Sequence, residues 1–213
     1  MEDLLSPVLE FLLALGEEAA ALQRFAETWD RGEAAPSDLF PGKGRVGSAS
    51  LQERTGLSQG CLACLACGSL RPILEAYFLD CHPHVTESPW DLGICPLCGA
   101  PPGFTDLLED GRRRLACHLC GAGWLFSRLR CPYCGSRNAK DVVRLLAEEK
   151  EEGYVIAACR ACNGYLKELD RRVRWNAGSA LVEDWGSPHL DLIAHREGYW
   201  RALPTLIQLE GSE

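Results

Sequence analysis

Eight cysteines arranged as four C-x-x-C pairs constrain this chain more than any other feature. The pairs are Cys95/Cys98, Cys117/Cys120, Cys131/Cys134 and Cys159/Cys162. The first two enclose 18 residues, the last two enclose 24, and only 10 residues separate Cys120 from Cys131. The chain therefore repeats a unit of knuckle, hairpin, knuckle. Two residues between cysteines let one tight turn aim both sulfurs at one metal, and a hairpin returns a second knuckle to complete a tetrahedron of four thiolates. Gly99, Gly121 and Gly135 follow second cysteines directly, where a left-handed turn is needed, and Asn163-Gly164 serves the fourth knuckle. Pro96 and Pro132 stiffen two of the turns. Two metal ions are predicted, each held by four cysteines; zinc and iron both accept this donor set. Four protein ligands leave no open position, which argues against an enzyme working at the metal. Redox-active pairs are the alternative, but such a motif normally stands alone beside a βαβ pattern, which is missing here.

The chain has 213 residues and twelve cysteines, all between Cys61 and Cys162. It begins Met-Glu-Asp, without a basic start and apolar stretch, which points to a cytoplasmic location. In that compartment clustered cysteines favour metal ligation over disulfides. The early apolar run Leu4 to Leu15 contains Glu10 and is too short for a membrane span, so no membrane partner is expected. The net charge of −8 argues against a general nucleic-acid binder. Charge is uneven, however: residues 94–175 hold 14 basic and 10 acidic residues.

Apolar residues at spacings of three and four predict a helix over 4–29 and a second over 59–80, the latter interrupted by Pro72. Residues 32–50 read as a Gly/Pro/Ser-rich linker, and Gly42-Lys43-Gly44 lacks the spacing of a phosphate loop. From residue 94 the texture is short strands and turns. Hairpins are predicted from 104–108 with 112–116, around Asp110-Gly111, and from 141–147 with 154–158, around an acidic turn. Extended segments at 165–169 and 172–175 follow. The last helix is placed at 188–197, with Ser187 as N-cap, Pro188 as first residue and Gly198 as stop. The expected fold is α+β. A helical region over 1–89 precedes four-cysteine metal ribbons at 90–128 and 129–175 and a C-terminal helical tail at 176–213.

Cys95-Pro-Leu-Cys-Gly-Ala-Pro101, Cys117-His-Leu-Cys120 with Trp124 and Arg128, Cys131-x-x-Cys134, and Cys159-x-x-Cys162 followed by Tyr165-Leu-Lys167 together resemble the formate dehydrogenase accessory protein family FdhE. Ser69–Glu75, Trp90, Leu190-Asp191 and Gly198-Tyr199 also look like it. The resemblance covers roughly residues 60–200. It implies rubredoxin-like metal sites on the paired cysteines and a cytoplasmic assembly factor. The implied partner is the catalytic subunit of the molybdenum-dependent formate dehydrogenase. The helical N-terminal part looks shorter than is usual in the family.

Other residues carry weaker signals. Cys61, Cys64 and Cys67, with Cys81, offer a possible extra metal or cluster site; the plainer reading is small residues packed on a helix face. Cys81-His82-Pro83-His84 reads as a solvated loop, with Pro83 arguing against a helix. Arg112, Arg113, Arg114 and Arg128 form a candidate basic patch that, with Trp124, would meet a partner. The competing functions are a rubredoxin-type electron carrier, which needs iron and a sulfur near solvent, and a nucleic-acid-binding zinc ribbon. The oligomeric state is left open.

Overall fold

The computed structural model describes residues 2–39, 41–42, 45–46, 49–86, 90–146, 152–201 and 203. Residues 147–151, which include most of the predicted acidic turn at 148–153, the tail at 204–213 and Lys43-Gly44 lie outside them. The chain divides into two compact units, one running to Leu74 and the other spanning Glu75–Leu203. The division between these units falls within the stretch 59–78.

The first unit is helical. α1 (Glu2–Leu15) and α2 (Ala19–Asp30) replace the single predicted helix. The apolar periodicity runs across the break, but Gly16 and Glu18 take positive φ angles of 76° and 53°, and a left-handed residue cannot continue an α-helix. Two strands of two residues each, β1 (Pro41–Gly42) and β2 (Arg45–Val46), pair within the predicted linker, and α3 (Ala49–Thr55) begins at its end. α4 (Gln59–Phe78) runs uninterrupted through Pro72. Leu5, Leu12, Leu22, Phe25, Leu51, Leu62 and Leu65 form one core in this unit. The stretch Gln59–Val85 is long and apolar enough by composition to cross a membrane. Its Leu62, Leu65 and Ala66, however, belong to that core, and buried core helices share the same composition.

The second unit is built on one six-stranded sheet of order β5-β4-β3-β8-β7-β6. Its strands are β3 (Pro102–Leu107), β4 (Arg113–Cys117), β5 (Gly123–Phe126), β6 (Val142–Leu146), β7 (Tyr154–Cys159) and β8 (Tyr165–Asp170). Each half is a three-stranded antiparallel meander. The first strand of the first half pairs in parallel with the last strand of the second, Thr105 opposite Glu168 and Leu107 opposite Asp170. The two repeats are therefore stitched head to tail into a single sheet. Residues 172–175, expected to be extended, turn away after β8, where Val173 N–H and Arg174 N–H donate to the Asp170 carbonyl.

Short helices complete the unit. α5 (His82–Thr86) includes His82-Pro83-His84, so the predicted loop is a helix; Pro83 sits in its first turn, where no N–H is required. α6 (Ala180–Trp185) was not expected; Ser179 caps it by accepting from Val182 N–H. α7 (Pro188–Arg196) matches its prediction, with Gly198 at φ 82° behind it. The Ser187 hydroxyl does not cap α7 but donates to the Glu183 carbonyl at 2.7 Å. Phe104, Tyr154, Ile156, Ala158, Tyr165 and Leu169 on one sheet face pack with Leu190 and Ala194 of α7.

Candidate metal centres

Strand ends place the eight paired cysteines. Cys117 and Cys159 end β4 and β7, and the remaining knuckle residues lie in the turns around them. All four knuckles close the same way: the N–H of the first cysteine donates to the carbonyl five residues on. Cys95 bonds Ala100 at 2.8 Å, Cys117 bonds Ala122 at 2.9 Å, Cys131 bonds Ser136 at 2.9 Å and Cys159 bonds Gly164 at 2.9 Å. Such a tight loop forces the residue after the second cysteine into the left-handed region. Gly99, Gly121 and Gly135 have φ of 73°, 74° and 75°, and Asn163 meets the same demand at 55°.

The loops bring the sulfurs into two groups, each with all its sulfurs within 4.8 Å of one another: Cys95, Cys98, Cys117 and Cys120, and Cys131, Cys134, Cys159 and Cys162. In the first group Cys95 Sγ lies 3.5 Å from Cys120 Sγ and Cys98 Sγ 3.4 Å from Cys117 Sγ. In the second, Cys131 and Cys162 are 3.7 Å apart and Cys134 and Cys159 3.8 Å. A tetrahedron with metal–sulfur bonds of about 2.3 Å has edges of about 3.8 Å, so the second group already has that size and the first is slightly contracted. Backbone N–H groups point at the sulfurs. Leu97 donates to Cys95 at 3.4 Å, and Leu119 and Cys120 donate to Cys117 at 3.3 and 3.4 Å.

The donor set fits a tetrahedral zinc or iron ion. Without a cation, four thiols this close share protons. In the first group Cys117, hydrogen-bonded to its neighbours, is pushed far above the ordinary thiol range, while hydrogen bonding, chiefly from Cys117, draws Cys95 far below it. A bound divalent ion allows all four to be thiolates at once.

The two groups differ in exposure. Cys95, Cys117 and Cys120 are buried and Cys98 half-buried, whereas Cys134 is exposed and Cys162 half-buried. Trp200 steadies the second group. Its N–H donates to the Asn163 carbonyl at 2.8 Å, its indole Nε1 to the Cys162 carbonyl at 2.6 Å, and its ring stacks on Tyr133 at 6.0 Å. The cysteine pattern gives no hint of this residue, because it reaches the knuckle only through the return of the chain after α7.

The other candidates are rearranged. Cys61, Cys64 and Cys67 lie half-buried along α4, and among the described residues they belong to no group of convergent ligands, nor does Cys81. Burial pushes the Cys61 thiol up to about 12, with Glu18 adding to it, and the Cys64 and Cys67 thiols to about 11. Cys61 and Cys64 pack against the core of the helical unit. Two of the residues expected to meet a partner are buried. Trp124 is wholly enclosed and donates to the Leu92 carbonyl at 3.2 Å. Arg113 is buried beside Glu168, 3.6 Å away. Arg114 leans on Asp106 at 2.7 Å, Arg112 on Asp110 at 2.5 Å, and Arg128 stays at the surface. Arg112 and Arg114 are thus engaged in separate ion pairs.

No family model matches the chain. Similar proteins are nevertheless found. A FdhE homologue of Stutzerimonas stutzeri is 36% identical over 127 residues, covering 58% of this chain and 41% of the relative. A FdhE homologue of Pseudomonas aeruginosa is 31% identical over 170 residues, covering 68% and 53%. One from Aquifex aeolicus is 31% identical over 151 residues, covering 68% and 51%. The chain thus spans about half the length of these curated relatives. The crystal structure of the FdhE protein from Pseudomonas aeruginosa superposes with a TM-score of 0.66 at 25% identity, covering 98% of this chain and 72% of that one. With two four-cysteine groups on a shared fold and these relatives, the chain belongs to the FdhE family.

Proposed function

We propose that this chain is a metal-binding accessory protein of a formate dehydrogenase, acting in the cytoplasm by docking on the catalytic subunit of the molybdenum-dependent enzyme during its maturation. The observation that carries the reading is the pair of closed four-cysteine groups on a scaffold similar to the FdhE crystal structure over 98% of the chain. Four protein sulfurs around each ion leave no place for a substrate, so the ions act as cross-links that shape a surface and the chain is not itself an enzyme. A pull-down from native cells, with metal analysis of the same sample, tests this. Recovery of a large molybdoenzyme subunit together with a metal-loaded chain is expected. A loaded chain that never brings down that subunit overturns the reading.

One observation favours a second reading, electron transfer of rubredoxin type: Cys134 puts a ligand sulfur at the surface. That reading requires iron in the second group and a reversible change of visible absorption on reduction. Zinc in both groups rules it out. A nucleic-acid ribbon draws less support, because Arg113, Arg114, Arg144 and Arg171 all pair with Asp106 or Glu168 of the sheet.

A further inference from the structure

A cleft of about 30 Å³ opens on the sheet face opposite the α7 core, enough for roughly two waters. Strands supply Arg113, Arg144 and Glu168 to its lining, the connector between the two ribbons supplies Arg128 and Arg130, and the third knuckle supplies Tyr133. Four guanidinium groups thus surround one carboxylate. Glu168 is shared, with Arg144 bonded to one oxygen and Arg113 Nε 3.6 Å from the other. Outside the cleft, Asp91 pairs with Arg130 at 2.7 Å. Cys131 and Cys159 of the second four-cysteine group also line the cleft, so part of the positive charge faces their sulfurs.

The donors are also incompletely used. Arg113 is fixed by its own contacts, Nε donating to Thr105 Oγ1 at 3.2 Å and Nη1 to the Arg130 carbonyl at 3.4 Å. Arg130 Nε is buried with no partner among the described residues. Arg128 makes one long bond, to the Gly111 carbonyl at 3.4 Å. Burying guanidinium groups without matching acceptors is costly, and preset guanidinium groups suit the planar two-oxygen geometry of a carboxylate or phosphate.

We propose that this cleft is a binding site for a small oxyanion, a carboxylate or phosphate group that completes the arginine cluster beside the second four-cysteine group. The anion arrives either free or as the acidic side chain of a protein. It accepts the hydrogen bonds that Arg130 Nε and Arg128 leave unused.

The test uses the whole metal-loaded chain in calorimetric titrations at constant ionic strength with inorganic phosphate, with acetate and with a short aspartate-rich peptide. Arg128→Gln and Arg144→Gln variants, checked by circular dichroism for an intact fold, are run alongside. Arg128 is exposed and makes no ion pair among the described residues, so its variant is expected to fold. Saturable binding that weakens about tenfold or more in each variant supports the site. If acetate or phosphate binds, the anion is free; if only the peptide binds, it belongs to a protein. Absence of saturable binding with all three probes, or binding that both variants retain at full strength, overturns the proposal.

Discussion

Lys167 Nζ lies 2.8 Å from Asp191 Oδ2, with both residues buried, and so joins the strand that seams the two ribbons to the last helix. Around the pair, Lys167 also reaches Asp184 Oδ1 at 2.8 Å, Tyr165 donates to Asp191 at 2.6 Å, and Arg201 reaches Asp184 at 2.5 Å. Two cations and two carboxylates satisfy one another where water cannot. Removing one member leaves charges buried and unpaired. Lys167→Met is therefore expected to cost about 3–5 kcal/mol, measured by denaturant unfolding. A loss below about 1 kcal/mol would show that the network contributes little.

Each four-cysteine group is expected to load independently. Cys134→Ser removes one ligand of the second group and none of the first, so metal content should fall from two ions per chain to one. Stripping both with a chelator should melt the strands while the helices to Leu74, which hold none of these ligands, stay protected from proteolysis. Elemental analysis and limited proteolysis read the two outcomes.

Gly93 marks the tightest approach between the segment leading into the first knuckle and the third knuckle. A Cβ there would lie 1.8 Å from the Pro132 carbonyl oxygen, a backbone atom that cannot rotate away. Gly93→Ala should cost about 2–3 kcal/mol and weaken the second metal site more than the first. Thermal melts and competition with a chromogenic chelator test both parts. An unchanged melting point would disprove the close contact.

The α4 thiols set a pH limit. In the folded chain, burial raises Cys61, Cys64 and Cys67 from an ordinary 9.0 to about 12, 11 and 11. The unfolded chain ionises first as pH rises. Their contribution to stability is thus complete below pH 9 and is lost as pH climbs through 11 to 12. Alkylation at neutral pH should leave these three unmodified while exposed Cys81 reacts. Rapid labelling of Cys64 in the native state would contradict this.

The knuckles were legible in the sequence because a C-x-x-C loop is local: spacing, the following glycine and the turn dictate one another within six residues. Asn163 in place of glycine was readable for the same reason. What escaped was set by contacts distant in sequence. Arg113 read as part of a partner-facing basic patch and Lys167 only as part of a family motif, yet each is buried because an acid arrives on another element: Glu168 for one, Asp184 and Asp191 for the other. The break at Gly16–Glu18 was hidden because hydrophobic spacing survives a change of helix direction. β5 is four residues long and adds too little pattern to be seen.

The head-to-tail seam also has a consequence for how the chain is made. The first ribbon carries all its own ligands between Cys95 and Cys120, so it needs nothing from later residues to close its cluster. Its β3, however, has an open edge until β8, the last of the described strands of this sheet in chain order, pairs with it. Through the synthesis of the whole second ribbon, a finished module thus presents an unpaired strand, the kind of edge that invites wrong partners.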